Sequence, residues 1–120
     1  QFMKLLNKDK RGYIKDLFDK PSNSVILIES KKGTIRANHY HKKDYHMCYI
    51  IYGKIKYHYK AKITDKKTKF KIYNKDETFF TPPKELHAME FLEKTKFIAI
   101  ARNKRDKKSY LSDTVPVNLI

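Results

Sequence analysis

Three of the five histidines in this chain lie within eight positions of one another, in the stretch 38–53. It reads NHYHKKDYHMCYIIYG and contains His39, His41 and His46. Imidazole nitrogens are common ligands of divalent transition metals. Residues i and i+2 of a β-strand point to the same side, so a strand over 34–41 predicts one shared face for His39 and His41.

The side on which His46 lies depends on the polar segment 42–44. An unbroken strand would turn His46 away from His41, whereas a turn at 42–44 resets the alternation. His46 then shares a face with Cys48 and Ile50. Buried imidazoles need partners for their ring nitrogens, and one metal ion would supply a partner for all three rings. The alternative is that these are solvent-exposed histidines of a polar chain.

The other two histidines differ in their neighbours. His87 follows a two-proline turn and begins an apolar alternation with Met89 and Phe91, as expected of an inward-facing side chain. His58 shares its strand face with lysines, so we expect it to face solvent. His87 is therefore the candidate that a distant strand would add to the cluster.

These histidines lie on short extended segments that recur every 8–12 residues. The segments are 24–29, 34–41, 45–53, 54–63, 70–74, 77–82, 87–93 and 96–102. This spacing is typical of a single all-β sandwich or barrel and favours a jelly roll over a simple meander.

Both ends of the chain have a different pattern. Tyr13, Ile14, Leu17 and Phe18 fall on one helical face, which predicts a short helix in a lead-in segment over 1–21. We expect one domain over 1–120, with the barrel over 22–108 and an extended C-terminal tail over 109–120.

The composition argues against several partners. The formal net charge is +15, but only four of the 28 basic residues are arginine and the lysines are spread along the chain. A nucleic-acid site would concentrate them, so we predict no nucleic-acid binding. No apolar run approaches the roughly 18 residues of a membrane span, and none near the start has signal-peptide length. With the single Cys48, this predicts a cytoplasmic protein without membrane association.

Two stretches resemble the motifs of the cupin superfamily. The stretch 33–53 is similar to the first cupin motif, with Gly33, His39, His41 and Gly53 at the expected spacings. The stretch 76–91 resembles the second motif through Pro82 and His87. The two stretches and the strand between them cover 33–91.

The sequence departs from the cupin pattern at several positions. His46 stands where cupins usually have glutamate, which replaces one ligand type by another. Asp76 and Lys84 stand where glycines are usual, and Phe91 where asparagine is. Because some metal-binding cupins use four histidines, the resemblance implies a ligand set of His39, His41, His46 and His87.

The resemblance implies a double-stranded β-helix, an RmlC-like jelly roll, that binds one divalent metal (Fe, Ni, Mn, Zn or Cu) and forms a homodimer. The stretch RANHYH and the C-terminal tail also resemble small cupins related to sugar-nucleotide epimerases and isomerases. We therefore expect an enzyme of isomerase, epimerase or oxygenase type that acts on a small polar or carbohydrate-derived molecule. The alternatives are a non-catalytic module that binds a sugar-like ligand and a basic nucleic-acid binder with incidental histidines.

Residues that share a face with the four histidines are candidates for the pocket wall. They are Cys48, Met89 and Phe91, with Tyr57 and Tyr59 as candidate general acids or bases. Ordinary core packing is the alternative for each of them. Simple alternation puts Arg36 on the opposite face from His39, where it would contact solvent or a second subunit.

Overall fold

The protein is described here by a computed structural model that covers residues 3–120. It contains eleven strands and one short helix within that range. They are β1 (Lys4–Asp9), β2 (Gly12–Asp16), β3 (Ser24–Ser30), β4 (Ile35–His41), β5 (His46–Tyr52), β6 (Lys54–Lys60), β7 (Lys69–Asn74), β8 (Thr78–Thr81), β9 (Leu86–Phe91), β10 (Thr95–Ala101), α1 (Lys107–Asp113) and β11 (Thr114–Pro116).

Strands β3 to β11 form two antiparallel sheets, and β3 to β10 have the pairing of a jelly roll. One sheet has the order β3-β10-β5-β8, and the other has the order β11-β4-β9-β6-β7. Each early strand therefore pairs with a late one, β3 with β10, β4 with β9, β5 with β8 and β6 with β7. The predicted all-β jelly roll is confirmed, and its eight strands correspond to the eight predicted segments.

The core lies between the inner faces of the two sheets. Every second side chain of β10 and of the first half of β6 is buried in this core, and β5 contributes Cys48 and Ile50. Its members include Ile50, Ile55, Phe91 and Phe97, all fully buried. The ring centroids of Phe91 and Phe97 are 5.8 Å apart. This core fixes the spacing of the sheets whose ends carry the histidines.

Gly53 makes the tight connection between β5 and β6 possible. It has φ +106, a conformation that side chains with a Cβ rarely adopt. A Cβ at this position would overlap the buried Thr95. The Thr95 hydroxyl accepts a hydrogen bond from the Lys54 amide at 3.0 Å. The glycine that ends the histidine-rich stretch therefore has a structural role.

The predicted helix in the lead-in is wrong. Tyr13 and Ile14 lie in β2, which pairs with β1 in a separate two-stranded hairpin. Gly12, at φ +136, completes the turn, and the Arg11 amide donates to Asp9 at 2.9 Å. A helix this short is unstable by itself, whereas the hairpin pairs its backbone groups. Residues 1 and 2 of the predicted lead-in lie outside the described range.

The C-terminal tail is not extended throughout. Residues 107–113 form α1, and Asp106 caps it by accepting a hydrogen bond from the Ser109 amide at 2.9 Å. The chain then returns as β11 along β4. No helix in the described range is long and apolar enough to cross a membrane.

Candidate functional site

A β-bulge in β4 determines which of its side chains face the interior. Ala37 and Asn38 have φ values of 72° and 57°, and the register with β9 shifts there. Arg36 pairs with Met89 and His39 pairs with His87. Paired residues share a side, as do Met89 and His87 two positions apart. Arg36 therefore lies on the same side as His39, contrary to the prediction from simple alternation.

The bulge also separates His39 from Ile35. Regular alternation would put Ile35, four residues before His39, on the same face, but Ile35 pairs with Glu90 and is 49% exposed. One extra residue between Ile35 and His39 reverses their relation. His39 and His41, on the far side of the bulge, share a face as predicted.

Three histidines meet at this end of the barrel. His39, His41 and His87 each offer a ring nitrogen, and these nitrogens lie within 4.8 Å of one another. The ring centroids of His39 and His41 are 4.6 Å apart, and those of His39 and His87 are 4.8 Å apart. Such a group has the size and the donors of a divalent metal site.

His46 lies beside this triad at the start of β5. Its ring centroid is 4.7 Å from that of His41. Its Nε2 is 3.0 Å from Asp44 Oδ2, a carboxylate that can only accept, so Nε2 donates this hydrogen bond and Nδ1 is the nitrogen left for a ligand. The structure therefore brings the four predicted histidines together, and their role as one ligand set stays a prediction.

In His87 and in His41, one ring nitrogen has a polar partner and the other ring nitrogen is left free. His87 Nδ1 donates to the Glu85 carbonyl at 2.9 Å, which leaves Nε2 as the acceptor. His41 Nδ1 lies 3.4 Å from Asp113 Oδ2. His41 Nε2 is buried and has no hydrogen-bond partner in the described range. An unpaired buried lone pair is unfavourable unless an ion or ligand group binds it.

Burial and neighbouring charges keep the imidazoles of the triad His39, His41 and His87 neutral. Burial, followed by the neighbouring imidazoles, lowers the pKa of His39 to about 3. Burial and then His46 lower the pKa of His41 to about 4, against the opposing effect of Asp44 and Asp113. Burial also lowers the pKa of His87 to about 4. Their lone pairs are therefore available near pH 7, as metal binding requires.

Two buried carboxylates hold the connection between β4 and β5. Asp113 at the end of α1 accepts hydrogen bonds from the amides of Lys43 and Asp44, at 2.9 and 3.2 Å. Asp44 accepts from the amides of Tyr45 and Asn103, both at 2.9 Å. This network forms the predicted turn at 42–44 and fixes where His46 enters β5.

A cavity of about 290 Å³ opens beside the histidines. Its wall includes His39, His46 and His87 from the cluster and two cationic side chains, Arg36 and Arg105. The apolar part of the wall comes from both sheets, and Tyr110 of α1 completes it. The cavity therefore combines lone-pair donors, two positive charges and one phenol.

The two tyrosines predicted as acids or bases lie in the core rather than on this wall. The Tyr57 hydroxyl is 2.8 Å from Thr81 Oγ1 and donates to Glu85 Oε1 at 2.6 Å. Burial, and then Glu85, raise the pKa of Tyr57 well above its ordinary value. Tyr59 is half-buried and stacks on Tyr57 with 5.7 Å between ring centroids. Neither is among the residues that line the cavity.

The predicted pocket residues divide into two groups. Cys48 and Met89 line the cavity. Burial raises the pKa of the Cys48 thiol to about 12, so it is a packed thiol rather than a nucleophile. Phe91 is fully buried against Phe97 and does not line the cavity. His58 lies on the outer face of its sheet, with Nε2 3.0 Å from Glu90 Oε1.

The sequence alone did not predict that residues of the C-terminal segment contribute to the cavity and its supporting hydrogen bonds. Tyr110, Arg105 and Asp113 lie in the part predicted as an extended tail or next to it. Asp106 followed three positions later by Ser109 is a usable helix-start signal. That signal would have placed Tyr110 on a helix, although not its packing against the histidines.

No family model matches the sequence, and no curated protein matches it. Solved structures match it in fold. QdtA, a sugar 3,4-ketoisomerase from Thermoanaerobacterium thermosaccharolyticum in complex with TDP, is 19% identical with a TM-score of 0.72, over 95% of this chain and 83% of that chain. The dTDP-4-dehydrorhamnose 3,5-epimerase from Sulfolobus tokodaii is 16% identical with a TM-score of 0.73, over 98% and 83%.

The capsular polysaccharide assembling protein CapF from Staphylococcus aureus is 21% identical with a TM-score of 0.71, over 96% of this chain. This chain spans about a third of the length of CapF, 34%. The chain therefore has the jelly-roll fold of these structures, the fold that the cupin resemblance implied.

Proposed function

We propose that this single cupin domain binds one divalent transition metal and isomerises or epimerises a nucleotide-linked ketosugar. The observation that carries the metal proposal is the Nε2 atom of His41, buried and unpaired within the described range. It lies in a group of three histidines whose lowered pKa values keep them neutral. His46 is the proposed fourth ligand, through Nδ1.

The chain's own residues would orient these ligands. Asp113 faces His41 Nδ1, the Glu85 carbonyl accepts from His87 Nδ1, and Asp44 accepts from His46 Nε2. Such outer hydrogen bonds fix ring orientation and strengthen the donor nitrogen. A divalent ion held by neutral imidazoles would supply its full positive charge to polarise a carbonyl oxygen.

The two arginines on the wall support an anionic substrate. Arg36 Nε donates to Ser30 Oγ at 2.6 Å, which holds its guanidinium against the cavity. Arg105 lies on the same wall. Guanidinium groups bind phosphate oxygens in a two-pronged geometry. The similar structures named for sugar nucleotides support the same choice of substrate class.

The metal proposal is tested by elemental analysis of untagged protein. We expect near-stoichiometric divalent metal in the wild type and loss of it in His41→Ala and His46→Ala. The matched control is His58→Ala, which removes an imidazole from the outer face of the sheet. Wild-type protein that binds no metal, or a His41 variant that keeps it, would contradict the proposal.

The enzymatic proposal is tested with TDP-4-keto-6-deoxyglucose, the compound bound in one of the similar structures. Proton NMR in D₂O should show loss of signals next to the ketone and appearance of a new sugar. The alternative is a non-catalytic module that binds a sugar-like ligand. It would bind the compound, as followed by calorimetry, and leave the spectrum unchanged over hours.

The homodimer is a further proposal, and the exposed hairpin β1–β2 supports it. Four large apolar side chains on this hairpin are 56–61% exposed, namely Leu5, Leu6, Tyr13 and Ile14. A second copy of the chain is the partner we propose for them. Light scattering should give twice the chain mass. The absence of nucleic-acid and membrane binding and the cytoplasmic location stay predictions.

A further inference from the structure

Tyr110 is the tyrosine on the wall of the histidine cavity. Its ring centroid lies 6.3 Å from that of His39 and 6.1 Å from that of His41. Tyr57 also approaches the cluster, at 6.0 Å from His87, but its hydroxyl already contacts Thr81 and Glu85. For the Tyr110 hydroxyl, no hydrogen-bond partner is found in residues 3–120. Tyr110 therefore has a donor available to a ligand, which Tyr57 lacks.

Arg105 lies over the Tyr110 ring. The centre of its guanidinium group is 4.1 Å from the ring centroid, and both side chains line the cavity. A cation at this distance is attracted to the ring face. The pair therefore presents an O–H donor beside a positive charge.

The helix that carries Tyr110 is held at both ends. Asp106 accepts from the amide and the hydroxyl of Ser109, at 2.9 and 3.0 Å. At the other end Asp113 accepts from the Lys43 and Asp44 amides. Because both ends are fixed, Tyr110 needs little rearrangement to meet a substrate.

We propose that Tyr110 is a catalytic residue that donates a hydrogen bond to the substrate oxygen on which negative charge develops. Breaking a C–H bond next to a ketone moves its electron pair toward the carbonyl oxygen, and a donor fixed there stabilises that charge most in the transition state. Arg105 adds a positive charge on the same side. This role rests on the proposed ketosugar chemistry. The two residues that carry it, Tyr110 and Arg105, lie outside both cupin motifs.

The test compares Tyr110→Phe with the wild type in the conversion of TDP-4-keto-6-deoxyglucose. The substitution keeps the ring and removes the hydroxyl. We expect kcat to fall roughly 100- to 1,000-fold, as when a single oxyanion donor is lost elsewhere, with KM almost unchanged. Tyr52→Phe, which removes a hydroxyl that donates to Glu29 on the protein surface, should have wild-type kinetics. Metal content and thermal unfolding should match the wild type in both variants.

A second variant separates catalysis from folding. Arg105 is exposed, so Arg105→Gln should fold normally and lower kcat by a smaller factor than Tyr110→Phe. Unchanged kcat in Tyr110→Phe, or a rise in KM alone, would overturn the role of Tyr110 while the proposed function stands. Wild-type protein that does not convert the ketosugar would overturn the proposed function and this role with it.

Discussion

The two ends of the chain both lie outside the eight-stranded barrel, but different contacts hold them. The N-terminal hairpin pairs only with itself in the described sheets and exposes its large apolar side chains. The C-terminal segment is anchored to the histidine strand by α1, by β11 and by hydrogen bonds at Asn38. A segment that supplies cavity residues is fixed in place, whereas the hairpin has a surface suited to a second subunit.

The comparison of the two ends predicts the largest loss of stability for a substitution at Asp113, in the C-terminal segment. Asp113→Ala leaves the Lys43 and Asp44 amides without acceptors, one of them buried. We expect the free energy of unfolding to fall by about 3 kcal/mol, measured by urea denaturation.

The matched control is Asp9→Ala in the hairpin, where an exposed carboxylate accepts from Arg11. It should leave the free energy of unfolding almost unchanged. Equal effects of the two substitutions would mean that the C-terminal segment is not anchored as described.

An intermediate loss of stability is expected for substitutions at Asn38, where the bulge contacts the C-terminal segment. Its Oδ1 accepts from the Leu119 and Ile120 amides, both at 3.2 Å, and its φ is 57°. Asn38→Ala loses the acceptor and strains the backbone, for about 2 kcal/mol in the free energy of unfolding.

Asn38→Gly loses the same side-chain hydrogen bonds as alanine but not the backbone conformation, because glycine adopts this φ freely, and should be destabilising by about 1 kcal/mol. The difference between the two variants in the same denaturation assay isolates the backbone strain. If glycine proved as destabilising as alanine, strain at the bulge would not contribute.

The smallest effect on the folding of one subunit is expected in the hairpin. Ile14 is 60% exposed, so Ile14→Asp should change the unfolding free energy of a monomer by less than about 0.5 kcal/mol. The same substitution should weaken the proposed dimer, seen as a lower mass by light scattering at micromolar concentration. Asn7→Asp adds a charge at a polar position of the same hairpin and should leave the mass unchanged. A dimer that survives Ile14→Asp would place the subunit contact elsewhere.

The sequence predicts the barrel well because its strands alternate strongly and its turns are marked. The same alternation groups His39 with His41 and assigns His87 to the interior. It fails at Arg36 and Ile35, because a bulge inserts one residue that no alternation rule detects. It also fails at Tyr13 and Ile14, where four apolar positions fit a helix as well as a hairpin.

The cavity wall is harder to predict than the histidines because it depends on contacts between distant segments. Tyr110 meets His41 through the pairing of β11 with β4, about seventy residues apart in the chain. Tyr57 and Tyr59 do face inward as alternation predicts, but they pack in the core and do not line the cavity. Periodicity gives the side of a strand on which a residue lies, but not what fills the space there.

The bulge in β4 has a consequence for how this strand can change in length. Ala37 and Asn38 together occupy one position of the register with β9. A version of the chain that lacked one of these two residues would have a regular strand, and Arg36, His39 and His41 would still point the same way. A chain with one residue fewer at this point would therefore keep the same wall, and a comparison by residue spacing alone would not match its arginine to Arg36.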